Sequence, residues 1–236
     1  NFFTTLYVGC TDFIGNLGIR DDNDGLDNIT DLSPLLQLVT LGGNLVIDGN
    51  QNLSSLIGLG NLNSVGKDLT IISNPQITSL SGLNELSTIG SDLQIENNIN
   101  LTNLMGLESL NNTGKNFVID GNSALITLEH LNSLDSVGST LNISNNNALL
   151  NLDQFNSLKY IGSNLTINTG NSALETISGF NTLVIVEGNL TIRNVNITSI
   201  SGFQNIDSIN GRLRINVNSN LQSITGFNNL TFVAND

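Results

Sequence analysis

Gly66-Lys67-Asp68-Leu69-Thr70-Ile71-Ile72-Ser73-Asn74-Pro75-Gln76-Ile77-Thr78-Ser79-Leu80-Ser81-Gly82-Leu83-Asn84-Glu85-Leu86-Ser87-Thr88-Ile89 is one complete copy of the unit that builds nearly the whole chain. Aligned on its first apolar pair, the unit reads Gly-x-x-Leu-x-Ile-x-x-Asn-x-x-Leu-x-x-Leu-x-Gly-Leu-x-x-Leu-x-x-Ile. It occurs eight times, opening at Gly42, Gly66, Gly90, Gly114, Gly138, Gly162, Glu187 and Asn210. The first apolar positions are Leu45, Leu69, Leu93, Phe117, Leu141, Leu165, Leu190 and Leu213. Self-similarity at a fixed period of about 24 residues marks a solenoid, in which one coil cannot bury its apolar side alone.

Within the unit, Leu69 and Ile71 alternate with Asp68, Thr70 and Ile72. A period of two predicts a short strand with Leu69 and Ile71 facing inward. Asn74 follows, with equivalents at Asn50, Asn98, Asn122, Asn146 and Asn218, and at Asn171 after a one-residue insertion. A buried asparagine at a corner satisfies backbone groups of its own and the adjacent coil, so these residues are expected to stack as a ladder. Ile77, Leu80, Leu83, Leu86 and Ile89 then recur every three residues. That spacing is too long for a strand and too even for an amphipathic α-helix, and it predicts short extended or 3₁₀-like segments joined by corners. Gly58, Gly82, Gly106, Gly179, Gly202 and Gly226 share one corner column, where positive φ is expected. His130 and Gln154 interrupt that column.

Unbroken repetition over 236 residues predicts one elongated domain, with residues 1–41 as an N-terminal cap and irregular first coil and 42–236 as the repeat solenoid. Hydrophobic residues make up 39% without any Trp, so Leu, Ile and Val build the interior. The formal charge of −13, from 7 basic and 20 acidic residues, opposes binding to nucleic acid and docking on an anionic membrane. No apolar run approaches the roughly 20 residues of a membrane helix, so no membrane insertion is expected in this stretch. The chain opens Asn1-Phe2 without Met, and a natural start upstream is expected. The single Cys10 excludes an internal disulfide framework. It reads as a small buried hydrophobe, with a partner cysteine elsewhere as the alternative.

The unit resembles the leucine-rich repeat, and Ile29-Thr30-Asp31-Leu32-Ser33-Pro34-Leu35 is similar to the internalin-type block of bacterial surface proteins. Two intervals are each one residue longer than in that family, from Val65 to Leu69 and from Asn74 to Ile77. The fuller Gly-x-x-Leu-x-Ile pattern resembles the receptor L-domain, a right-handed β-helix. The resemblance covers about residues 15–233. It implies an all-β, right-handed parallel β-solenoid of about eight 24-residue coils plus an irregular N-terminal coil. It also implies an extracellular or cell-surface setting. Both families hold binders of very different ligands, so the ligand stays open. Nine Asn-x-Ser/Thr triplets occur, and four of them, at Asn28, Asn52, Asn100 and Asn196, fall in one column that would carry glycans in a eukaryotic secretory protein.

Catalytic constellations are absent from the pattern. His130 is the lone histidine, in a glycine column, and reads as a tolerated corner residue. Histidine-based metal sites and Ser-His-Asp or Cys-His arrangements need residues this chain lacks, so no enzyme activity, cofactor or metal is expected. Between Arg20 and Asp31, the residues Asp22, Asp24, Gly25 and Asp31 match positions three, five, six and twelve of a calcium loop. Arg20 occupies position one, and a solvated acidic turn is the preferred reading.

The outward strand positions Val46, Thr70, Gln94, Val118, Asn142, Thr166, Thr191 and Arg214 form the candidate ligand-binding row. At about 4.8 Å per coil the row is about 35 Å long. Asp48, Asp68, Asp92, Glu96 and Asp120 flank its early coils, and Arg193, Arg212 and Arg214 gather at its end. Two functions follow as expectations. The first is a non-catalytic binding or adhesion module that meets a protein or glycan on this row. The second is a structural subunit of a filament or surface layer. It assembles with copies of itself through Arg193, Arg212 and Arg214 and an apolar end formed by inward Leu230, Phe232 and Val233. Ice binding needs regular Thr ranks, and only Thr70, Thr166 and Thr191 occupy the central row.

Overall fold

A computed structural model describes residues 9–21 and 28–235. The chain is an all-β, right-handed parallel solenoid of about nine coils of about 24 residues. Its main sheet comprises β1 (Leu17–Arg20), β2 (Leu45–Asp48), β3 (Leu69–Ile72), β4 (Leu93–Glu96), β5 (Phe117–Asp120), β6 (Leu141–Ser144), β7 (Leu165–Ile167), β8 (Leu190–Arg193) and β9 (Ser208–Asn216). Each strand gives its coil its number. Neighbours pair in parallel and in exact repeat register: Leu69 with Leu93, Leu93 with Phe117, Leu141 with Leu165, Leu190 with Leu213. Coil 1 joins the same ladder through Leu17 and Leu45, at a spacing of 28 residues rather than 24.

A one-residue slip would turn every Leu and Ile outward. The observed register instead buries Leu69, Ile71 and their equivalents in coils 2 to 8 completely, while Leu17, Leu213 and Ile215 in the end coils are partly buried. A second ribbon of two-residue strands runs beside the main sheet from Asp12–Phe13 to Ile185–Val186, and the start of β9 continues it. A third, shorter ribbon pairs Thr176–Ile177, Ser199–Ile200 and Ser223–Ile224. The residues spaced by threes close each coil with i→i−3 bonds, such as Leu83 N–H to Leu80 C=O and Leu86 N–H to Leu83 C=O, both about 3 Å. Full 3₁₀ turns occur at Ser33–Leu35 and Ile57–Leu59.

The glycine corners differ in part from expectation. Gly82 and Gly106 have φ of 114° and 116°, but Gly58, Gly179, Gly202 and Gly226 do not lie in the left-handed region. In the late coils that conformation moves one residue on, to Phe180, Phe203 and Phe227. What the column requires is the absence of a side chain: a Cβ on Gly179 would lie 2.0 Å from the Leu152 carbonyl oxygen. His130 fills the column at φ 84°. The phenylalanines themselves stack, Phe155 on Phe180 on Phe203 on Phe227, with ring centroids 4.6, 5.0 and 4.9 Å apart.

The asparagine ladder forms as expected. Asn50, Asn74, Asn98, Asn122, Asn146 and Asn171 are all fully buried. From Asn74 to Asn171 each Oδ1 accepts the backbone N–H of the preceding rung, as in Asn74 N–H to Asn98 Oδ1 at 3.0 Å and Asn98 N–H to Asn122 Oδ1 at 3.1 Å, whereas the buried Asn50 Oδ1 at the first rung has no partner among the described residues. Each Nδ2 donates to the inward isoleucine carbonyl of the coil before, as Asn98 does to Ile71 at 2.9 Å. In coil 8 the rung is Val195, so Asn171 has no side-chain acceptor above it; Asn218 resumes by accepting the Val195 N–H at 3.1 Å.

Candidate binding face

The main sheet exposes one side to solvent. Along its centre, Val46, Thr70, Gln94, Val118, Asn142, Thr166 and Thr191 are half-buried and Arg214 is exposed. These are the outward positions the repeat predicts, and Gly18 extends the row one coil further. Polar bonding within the row is sparse: Thr70 Oγ1 donates to Gln94 Oε1 at 3.3 Å, and Asn142 Nδ2 to Ser144 Oγ at 3.2 Å.

One edge of this face is organised by a second ladder that the repeat consensus does not reveal. Asn16 Oδ1 accepts the Asn44 N–H at 2.8 Å, Asn44 Oδ1 the Asp68 N–H at 3.1 Å, and Asp68 Oδ1 the Asp92 N–H at 3.2 Å. Asp92 Oδ1 then accepts from Asn116 at 2.9 Å, and Asn116 Oδ1 from Thr140 at 3.2 Å. The series resumes with Asn164 to Asn189 and Asn189 to Arg212, each 2.8 Å. Its polarity opposes the buried ladder, since here each oxygen accepts from the following coil. The only signal in the sequence is the recurrence of Asn or Asp one residue before β1 to β5, β7 and β8.

The other edge holds Arg20, Asp48, Ile72, Glu96, Asp120 and Ser144 in coils 1 to 6, and Arg193 and Asn216 in coils 8 and 9. Arg20 meets Asp48 at 3.7 Å. Asp120 accepts from the Ser144 hydroxyl and from Asn145 Nδ2 at 2.8 Å. Glu96 pairs directly beside Asp120. Burial, and then the negative charge of Asp120, pushes the Glu96 carboxyl above the usual carboxylate range. Arg193, Arg212 and Arg214 are all exposed, and none makes an ion pair among the described residues.

The residues expected at the apolar end separate. Leu230 packs against the core from an inward column, and Val233 pairs with the inward Ile209 but is 36% exposed. Phe232 pairs with Ser208 in an outward column and is 52% exposed, so it is not an inward residue. Alternation along the strand decides this, because only one of two consecutive residues can face the core.

Asn28, Asn52, Asn100 and Asn196 are all exposed. Of the calcium-loop matches, Asp22, Asp24 and Gly25 lie outside the described residues. Asp31 accepts the Ser33 hydroxyl and N–H, which hold its carboxyl below the usual value. His130 Nδ1 sits 2.8 Å from Glu108 Oε1, whose Oε2 also accepts the Gly106 N–H at 2.9 Å. The residue that breaks the glycine column thus ties coil 5 to coil 4. Cys10 is half-buried rather than buried, with Sγ 3.4 Å from the Asp12 carbonyl.

Among the described residues no group of three or more His, Cys, Asp and Glu is placed to hold a metal ion. Among the described residues no helix is long and apolar enough to cross a membrane. A shallow hollow of about 280 Å³ lies at the coil-1 end of the face, lined by Asn16, Leu17, Gly18, Arg20, Asn44 and Val46. Neither a protein-family model nor a curated protein sequence matches this chain.

Proposed function

We propose that this chain is a non-catalytic recognition module of the extracellular or cell-surface environment, binding a protein or glycan partner across the main sheet face. The observation that carries this reading is the charge on that face. Arg20, Arg193, Arg212 and Arg214 are four of the chain's 7 basic residues, set against Asp48, Asp68, Asp92, Glu96 and Asp120 from its 20 acidic ones. The rest of the surface therefore carries nearly all of the −13. A nearly balanced, segregated face on a strongly acidic body favours oriented contact at that face over any other. Its rigid, in-register strands hold the side chains at fixed spacing, which limits the ordering cost of binding.

The test is an array of immobilised glycans, cell-surface ectodomains and the 236-residue chain itself, probed with that chain and its Asn142→Arg and Thr166→Arg variants. Loss of the parent's signals with both variants supports the reading. Signals that both variants retain, or no parent signal at all, refute it.

A further inference from the structure

The charges on the sheet face are ordered as well as balanced. Asp68, Asp92, Glu96 and Asp120 lie on coils 3 to 5, whereas Arg193, Arg212 and Arg214 lie on coils 8 and 9. Between them, Thr140, Asn142, Ser144, Asn164 and Thr166 form a neutral polar stretch on coils 6 and 7. Such a face is complementary to itself when one copy is reversed.

We infer that the main sheet face docks on the same face of a second copy of this chain, the two solenoids antiparallel about a twofold axis along β6. The inference rests on the reading of that face as the binding surface and names its partner. An axis along the strand reverses the coil order and keeps each position along the strand. Coil 9 then meets coil 3 of the second copy, and coil 8 meets its coil 4. Arg212, one residue before the coil-9 pair Leu213 and Ile215, falls opposite Asp68, which stands one residue before Leu69. Arg193 falls opposite Glu96, because both occupy the last position of their strands. Symmetry makes this four ion pairs, and the axis itself passes through neutral Asn142 and Ser144. Among the described residues no cation pairs with Glu96, which crowds against Asp120, so an incoming guanidinium relieves an existing repulsion. Elsewhere the acidic surfaces repel, which disfavours other arrangements of two copies.

The shared strip spans seven coils, about 34 Å by 15 Å at about 4.8 Å per coil and 3.3 Å per residue. It buries about 1,000 Å² in total, at the low end for specific association, so a reversible dimer with a dissociation constant of about 10–500 μM is expected.

Sedimentation equilibrium from about 10 μM to about 1 mM tests this on the 236-residue chain. Arg193→Glu and Glu96→Arg alone should each weaken dimerisation about tenfold or more, since each sets like charges opposite one another twice. The two together exchange the charges and should restore it to within about threefold. Circular dichroism serves as the check that all variants keep the sheet. A monomer throughout, a dimer indifferent to the single substitutions, or a double variant as weak as the singles overturns the inference. Any of these leaves recognition of a different partner to the array, where the Asn142→Arg and Thr166→Arg variants decide it separately.

Discussion

Asn122→Ala is the perturbation that best probes how the coils hold together. Its Oδ1 accepts the Asn98 N–H at 3.1 Å and Asn98 Nδ2 at 3.3 Å, while its Nδ2 reaches the Ile95 carbonyl at 2.8 Å. Alanine leaves the buried Asn98 amide without an acceptor and removes a side-chain donor from Ile95. An orphaned buried amide costs about 1–3 kcal/mol and a lost hydrogen bond about 1 kcal/mol, so the expected loss is about 2–4 kcal/mol. Coil 5 lies mid-stack, where nearest-neighbour coupling passes the damage to both halves. Urea unfolding followed by circular dichroism reads the total, and hydrogen exchange at the Asn98 amide reads the rung itself. Thr70→Ala removes only the 3.3 Å bond to Gln94 and should cost no more than about 0.5 kcal/mol. Equal, small losses at both sites, with Asn98 exchange unchanged, would refute the ladder as a source of stability.

Other consequences follow from the same contacts. The Asn171 amide, facing Val195 where a rung is missing, should exchange faster than the Asn98 and Asn122 amides in native-state hydrogen exchange. Gly114→Ala places a Cβ 2.1 Å from the Gly90 carbonyl oxygen and should destabilise by about 3 kcal/mol or more, whereas Gly18→Ala, with nothing within 4 Å, should be neutral within about 0.5 kcal/mol by thermal melting. Glu96→Gln should stabilise the chain at pH 7. The folded state holds the Glu96 carboxyl above its ordinary value of 4.5, so its ionisation weakens folding as the pH rises past that value. The advantage of glutamine should therefore vanish as the pH falls below about 4.5, and an advantage that persists there would contradict the assignment. Phe180→Ala, in the middle of the ring stack, should cost about 3–5 kcal/mol, measured by urea unfolding.

The solenoid was legible because its code is strictly periodic. Leu69 and Ile71 type pairs at a period of two set the strand, and a spacing of 24 residues aligns them without slippage. The asparagine ladder was legible because a buried amide recurring at one corner has few uses other than satisfying backbone. Conformational detail was not. Positive φ can migrate between adjacent residues when the preceding coil's carbonyl, rather than the local dihedral, is what demands glycine, as at Gly179 and Phe180. The second corner column, Gly49, Ser73, Asn97, Gly121 and Asn145, is left-handed throughout and was hidden by its mixed composition. Phe232 was misplaced because it is adjacent to Val233 and both are apolar, so alternation had nothing to distinguish them. On the sheet face, the outward placement of the row was legible residue by residue. The charge order acquired its meaning only once the register set Arg193 and Glu96 in one column, four coils apart.

Interprotomer distances between identical spin labels test most directly the claim that the sheet face recognises itself. Single nitroxides at Val46→Cys or Gln94→Cys, with Cys10→Ser, are read by double electron–electron resonance. The antiparallel pair about β6 predicts about 40 Å between labels at Val46 and about 20 Å at Gln94, from coils about 4.8 Å apart and facing sheets about 10 Å apart. Equal distances at the two positions mean a head-to-tail or parallel arrangement, and no measurable distance at either means no contact through this face. Either result contradicts the account.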